Sequence, residues 1–385
     1  MAENKNEIKF RLTDKFWWWV SNLLGLVASI VLVISIIVSL PFRKYKSMTL
    51  RYAVRIISLC IILAVIFSIY IYYFPQQSPE FGNDTKYILV YRGDTVYDIA
   101  YKLKQTGGIS SEFNFILFSK LLNYSRKLKA GRYAIEPEAS FADIFGVLTT
   151  GAAVPYNVTI PEGLTVKKTA KLLSGKLSFT EDDLIKACSD RILLDSLSIP
   201  TKDIEGYLFP NTYNFFFDES PQSVVSKMLT QFYANLPDSF EQKAKILGLD
   251  PYEAITMASL IESEAMLDSE RPTISAVYHR RLKIGMRLQC DPTVIYALDG
   301  LERPLYSKDL RIDSPYNTYR YYGLPPGPIC SPGKASLKAA VNPADVSYLY
   351  FVARGDGSHV FTKSNRDHIN AKNRIKRNKK LGIFK

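Results

Sequence analysis

The chain has 385 residues, with 49 lysines and arginines against 37 acidic residues, a net charge of +12 and 47% apolar residues. That composition excludes a disordered polyelectrolyte and leaves room for membrane-embedded segments plus roughly two or three small domains. Four cysteines exclude a disulfide-dense scaffold, and only three histidines (His279, His359, His368) argue against a histidine metal site.

Residues 1–15 read as a short polar tail. Phe16–Phe42 carries no charged residue, and neither does Ile56–Gln77. Each run reaches the ~20 residues that a helix needs to cross a bilayer. Transmembrane helices are therefore predicted over 16–42 and 55–77. Trp17, Trp18 and Trp19 at one end, and Tyr70, Tyr72 and Tyr73 at another, suit membrane interfaces. The loop between the runs holds Arg43, Lys44, Lys46, Arg51 and Arg55 and no acid, which places it in the cytoplasm. Everything after Phe74 then faces the periplasm or cell wall. A start at Met48 would give a single span with the same orientation.

A polar, Pro- and Gly-broken linker follows, centred on 78–85. Next comes YILVYRGDTVYDIAYKLKQTGGIS, and further on YNVTIPEGLTVKKTAKLLSGKLSFT. Aligning Gly93 with Gly163 also aligns Thr95 with Thr165, Val96 with Val166, Ala100 with Ala170, Leu103 with Leu173 and Ser110 with Thr180. This predicts a repeated strand–turn–helix unit, with Thr95 or Thr165 as helix cap and Val96, Ile99, Ala100 and Leu103 as an apolar stripe. The first copy, over 86–150, resembles a LysM-like module, a small fold that binds cell-wall glycan. Its alternative role is a spacer that lifts the remainder off the membrane.

Ser223–Leu247 has helical spacing, and Asp250-Pro251 opens a new helix, since proline in the first turn costs no hydrogen bond. On a wheel with Met257 at the origin, Leu260 and Ile261 fall on one apolar side. Glu264 lands about 20° from that origin, whereas Glu262 lands at about 140°, toward the polar side. An inward carboxylate must be paired or protonated. Arg271, Arg280 or Arg281 could pair with it. Alternatively, apolar surroundings raise its pKa so that it donates a proton near neutrality, as glycosidic cleavage requires.

Ile284–Leu298 reads as a strand-like piece leading to a helix capped by Asp291 with Pro292 at its first position. The stretch SPYNTYRYYGLPPGPICSPG packs prolines, glycines and tyrosines into one rigid loop, and Tyr316, Tyr319, Tyr321 and Tyr322 suit sugar rings. SYLYFVARGDGSHVFT reads as a hairpin turning at Gly355–Ser358. An oxidising compartment would permit a Cys290–Cys330 disulfide.

The ordered stretches EGYLFPNTY, ASLIESEA, IGMRLQ-x-DPTVIY, SPYNTY, GLPPGPI and YLYFVA resemble the endolytic murein transglycosylase family (MltG, YceG-like). The resemblance implies a membrane-anchored α+β protein: a transmembrane helix or helices, the LysM-like module, and over 151–385 a helix-rich catalytic region with an antiparallel sheet and a basic C-terminal tail. It implies cleavage between N-acetylmuramic acid and N-acetylglucosamine inside glycan strands, leaving 1,6-anhydro ends and helping to terminate nascent chains. It places an active-site glutamate in ASLIESEA: Glu264, with Glu262 as runner-up. Gln289, Asp291, Tyr316, Asn317 and Tyr319 become candidates for holding glycan or orienting the acid. No metal or organic cofactor is implied. The implied partners are peptidoglycan strands, the cell membrane and peptidoglycan synthases, and not nucleic acid, despite the basic tail. The chain departs from the family with Cys290 where Thr is expected and Arg280 where Asn is expected. A glycan-binding scaffold with little catalysis and an ordinary muramidase are the competing functions.

Overall fold

A computed structural model describes residues 84–137, 139–151 and 153–380, with scattered positions between 57 and 73. The expected 16–42 span and the Met48 start lie outside the described residues, as does nearly half of the 55–77 span. Among the described residues, no helix is long and apolar enough to cross a membrane.

The chain opens with strand β1 (Lys86–Val90), helices α1 (Val96–Gln105) and α2 (Glu112–Leu121), and strand β2 (Gly131–Ile135). β1 and β2 pair antiparallel, with Lys86 opposite Ile135 and Val90 opposite Gly131. Alternation along β1 turns Ile88 and Val90 inward, where they meet Ile99, Ala100 and Leu103 of α1. Helix α3 (Phe141–Thr150) adds Phe141, Ile144, Phe145 and Leu148 to the same core.

The second unit repeats that plan. It runs through β3 (Tyr156–Ile160), α4 (Val166–Ser174), α5 (Glu181–Cys188), α6 (Arg191–Ser196) and β4 (Asn211–Phe215), with β3 and β4 antiparallel. The equivalence predicted from sequence is physical. Gly93 and Gly163 both take positive φ, at +92° and +76°, and Thr95 and Thr165 both cap the following helix through the side chain. Val96 and Val166, Ala100 and Ala170, and Leu103 and Leu173 are buried in their respective cores. The alignment slips by one residue at the second helix, whose caps are Ser111 and Thr180. Tyr91 meets Phe217 edge-on with ring centroids 5.0 Å apart, and an exposed Arg92 reaches Asp218 nearby, joining the two units.

The remainder is mostly helical: α7 (Pro221–Asn235), α8 (Phe240–Ile246), α9 (Pro251–Glu264), α10 (Arg271–Lys283), α11 (Asp291–Ala297), α12 (Lys334–Val341), the hairpin β5 (Tyr350–Ala353) and β6 (His359–Thr362), and α13 (Asn365–Lys380). α9 starts where Asp250 and Glu253 cap each other's backbone reciprocally, with Pro251 at the first position. It packs against α8, α10, α11 and α12. Every residue from Ala254 to Ile261 is buried, so over that stretch the helix has no outer face.

Three expectations need correction. Ser223–Leu247 is two helices, because Leu236, standing before Pro237, is extended at φ −58° and ψ 137°. The strand-like piece at 284–290 forms no strand, touching the tyrosine loop only where Gln289 and Cys290 bond Thr318. Among the described residues the sheet is three separate two-stranded pairs. The hairpin turn at Gly355–Ser358 stands, closed by Arg354 N–H donating to the Ser358 carbonyl at 2.8 Å.

Candidate active site

Glu264 is the last residue of α9, at the point where that buried helix ends. Its Oε1 accepts a hydrogen bond of 3.2 Å from Tyr278 Oη, on α10. The Cys290 thiol is a second hydrogen-bonding neighbour. Burial pushes the Glu264 carboxyl above the ordinary carboxylate range, and the charge of Asp291 pushes it further. The hydrogen bonds from Cys290 and Tyr278, and the nearby His359, act the other way. The C-terminal end of α9 carries partial negative charge, which also disfavours a carboxylate there. The balance favours the protonated form at a position that keeps partial exposure.

Glu262 is held differently. Its side chain is 6% exposed and pairs with Arg271 Nη1 at 3.2 Å, and its Oε2 accepts the Gly333 N–H at 2.9 Å. Arg271, also 6% exposed, reaches Asp268 at 2.8 Å and Glu162 at 3.9 Å. The inward arginine pair considered for Glu264 thus belongs to Glu262. Glu162 is carried in the turn after β3, and that turn is stapled to the loop before α12 by two backbone bonds. Gly163 N–H donates to Ser331 O at 2.9 Å, and Ser331 N–H donates to Leu164 O at 2.8 Å. Glu162 lies so close to Gly333 that a Cβ at 333 would collide with its carboxylate.

Of the other sequence candidates, Gln289 and Asp291 flank Cys290 and so stand beside Glu264. Gln289 is exposed and takes a left-handed φ of +49°, and its N–H bonds Thr318 O at 3.2 Å. A non-glycine residue held there stores strain, a feature concentrated at functional sites. Asp291 is the first residue of α11, not its cap. Cys290 occupies the cap position and makes no side-chain cap bond. Asp291 is thereby free to accept a hydrogen bond from Tyr319 Oη. Tyr316 turns the other way, its ring 4.9 Å from Tyr296 and near Glu205 and Asp203. Asn317 is wholly buried. It donates to Leu310 O and Ile312 O at 3.0 and 2.8 Å and accepts from Tyr319 N–H at 3.0 Å, so its amide shapes the tyrosine loop. Cys290 and Cys330 are both free thiols, so the permitted disulfide is not formed.

The sequence profile of the YceG-like family matches residues 88–374, from β1 into α13. The chain belongs to the YceG-like family. It is similar to the endolytic murein transglycosylase of Bacillus subtilis strain 168, at 34% identity over 296 residues covering 73% of this chain and 82% of that one. It is also similar to the Streptococcus pneumoniae D39 protein of the same name, at 30% identity over 344 residues covering 79% of this chain and 62% of that one. Among solved structures, a YceG-like protein from Listeria monocytogenes has a TM-score of 0.53 at 31% identity, over 75% of this chain and 99% of that chain.

Within this YceG-like chain, several polar residues at the site carried no obvious sequence signal. Tyr278 falls on the buried side of α10 with Ile274, Ser275 and Val277, and only the rule that a buried phenol needs a partner singles it out. Glu205 opens the EGYLFPNTY stretch and is buried. Both its oxygens lie 3.1 Å from the Val166 N–H, and it hydrogen-bonds Tyr296 on α11. Burial, helped by Asp203, pushes its pKa up to about 8. Glu270 accepts from His359 Nδ1 at 2.7 Å, fixing the hairpin beside the segment that follows Glu264.

Proposed function

We propose that this protein is a membrane-anchored endolytic peptidoglycan transglycosylase in which Glu264 is both general acid and general base. The observation that carries the reading is the Glu264 carboxyl at the buried end of α9, pushed above the ordinary carboxylate range, in a chain of the YceG-like family, whose curated relatives carry that enzymatic name. Glu264 gives its proton to the oxygen joining N-acetylmuramic acid to N-acetylglucosamine, and the bond from that oxygen to the muramyl anomeric carbon breaks. The resulting carboxylate takes the proton of the muramyl 6-hydroxyl, whose oxygen bonds to the anomeric carbon. The products are a 1,6-anhydro end and a free N-acetylglucosamine end, and the acid is restored. One carboxyl suffices because the nucleophile belongs to the substrate. Asp291, held by Tyr319, supplies negative charge opposite the developing oxocarbenium ion. Gln289 lines the glycan path, Asn317 keeps the tyrosine loop in shape, and Tyr316, turned toward Tyr296, packs behind it.

The same reading gives the β1–β2 unit a LysM-like role in holding glycan and places the spans in the cytoplasmic membrane, with synthases as neighbours and chain termination as the outcome. The repeated βααβ plan and the apolar run at 55–77 support it.

The test is a digest. Full-length protein in detergent is incubated with purified peptidoglycan beside Glu264→Gln, and the soluble products are weighed by mass spectrometry. The expected fragments are one water lighter than hydrolysis products, and the variant releases at least about 100-fold less. Hydrated ends would instead make the protein a muramidase. Glycan binding without release would make it a scaffold.

A further inference from the structure

We infer that Tyr278 is a positioning residue that fixes which oxygen of Glu264 carries the proton. The inference rests on Glu264 being the acid. Tyr278 is completely buried, and its hydroxyl donates to Glu264 Oε1 at 3.2 Å. A carboxyl oxygen that accepts a hydrogen bond is the carbonyl-like one, so the acid proton resides on Oε2. Without that donor the proton would divide its time between the two oxygens, and part of the population would be misplaced for transfer.

The phenol is itself held firmly. Its ring packs edge-on against Phe351 of the hairpin at 5.8 Å, and Phe351 packs edge-on against His359 at 5.4 Å. Glu270 holds His359 in turn. The hairpin therefore braces the donor, and its turn approaches Met266, two residues beyond Glu264, through Gly357. On the other side the Cys290 thiol lies within hydrogen-bonding reach of both Tyr278 and Glu264. The groups facing Glu264 are thus Tyr278 from α10, Cys290 and Asp291 from the start of α11, and His359 from the hairpin.

A donor to one oxygen bonds the ionised carboxylate more strongly than the acid. Removing it raises the pKa of Glu264 and releases the positional constraint. The experiment compares wild type, Tyr278→Phe, Glu264→Gln and the double variant as full-length proteins. Thermal midpoints are followed from pH 4 to 9. Subtracting Glu264→Gln from wild type, and the double variant from Tyr278→Phe, isolates the titration of that one carboxyl with and without its donor. In Tyr278→Phe that titration moves up by about one pH unit. On peptidoglycan the alkaline limb of kcat/KM moves up with it, and kcat falls about tenfold or more with KM little changed.

An unmoved titration in Tyr278→Phe overturns the inference, with or without activity. So does a moved titration with unchanged kcat. A wild type that releases no anhydro product removes the transglycosylase reading, while the thermal titration still decides the proton's position. Should Tyr278→Phe fail to fold, Phe351→Leu, which loosens the brace without touching the hydroxyl, must show the same upward shift in weaker form, and its absence counts against the inference.

Discussion

Glu262 and Glu264 stand two residues apart on α9, and their environments assign them opposite physical chemistry. Glu262 is paired with Arg271, and burial pushes the Glu264 carboxyl above the ordinary carboxylate range. Replacing each by glutamine should separate them. Glu262→Gln breaks a buried pair and leaves Arg271 with weaker partners, which costs about 3 kcal/mol. Glu264→Gln should do the reverse at neutral pH. A carboxyl whose pKa is raised by folding is protonated in the native chain while already ionised in the unfolded one. The native state then binds more protons, and stability falls as pH rises from the ordinary carboxylate range through the raised pKa. A neutral amide at that position escapes the loss, so Glu264→Gln melts higher than wild type at pH 8 and nearly level with it at pH 4. Thermal denaturation at the two pH values checks both expectations. The sequence allowed Glu264 to be singled out, but it could not say where Arg271 goes. The wheel assumes that a helix has an inside and an outside, and α9 has neighbours all round.

At the scale of elements, legibility followed the range of the interaction. Caps depend on residues three apart, so Thr95, Thr165 and the Asp250–Glu253 box could be read directly. The β5–β6 hairpin could be read from its alternating apolar residues and glycine turn. Segment 284–290 looks like a strand locally, yet a strand requires a partner edge, and none is offered there. Asp291 has cap chemistry, but the left-handed Gln289 and the bond from Cys290 N–H to Thr318 Oγ1 shift the helix start by one residue. Glu205 joins elements remote in sequence, from Val166 at the start of α4 to Tyr296 in α11, and so seats the helix that carries Asp291. With its pKa pushed up to about 8, Glu205 is protonated in the fold while ionised in the unfolded chain over the range up to that value. It should make the wild type lose stability between the ordinary carboxylate range and about pH 8, whereas Glu205→Gln is flatter across that window. Urea midpoints measured at pH 5, 7 and 9 test this, and a wild-type slope unchanged by the substitution would count against it.

At the scale of the whole molecule, the buried side chains form two separate cores, one built from Ile88 to Leu148 and the other from Val158 to Val341. The contacts between them include the Tyr91–Phe217 ring pair and the Arg92–Asp218 ion pair, whose arginine side chain is 72% exposed. An exposed pair of that kind contributes at most about 1 kcal/mol, and the Tyr91–Phe217 pair and Arg132 over the Tyr156 ring add about as much each, too little to couple the melting of two cores tightly. Differential scanning calorimetry should therefore show two transitions. Ile144→Ala should lower only one of them, and a single peak that moves as a unit would contradict the description. The sequence repeat announced two like units, and packing then gave them unlike tasks.

That difference is visible in the two equivalent turns. Arg92 stands where Glu162 stands in the second copy. The first turn meets only a neighbouring surface, whereas the second is stitched to Ser331 and presses its carboxylate against Gly333, beside Glu262. Positions 162 and 333 are therefore coupled sterically. A side chain at 333 obliges Glu162, whose side chain is half exposed, to swing away or to give place to a shorter residue. A chimera that joins the second repeat of one family member to the helical half of another keeps this contact unaltered when both positions come from the same parent.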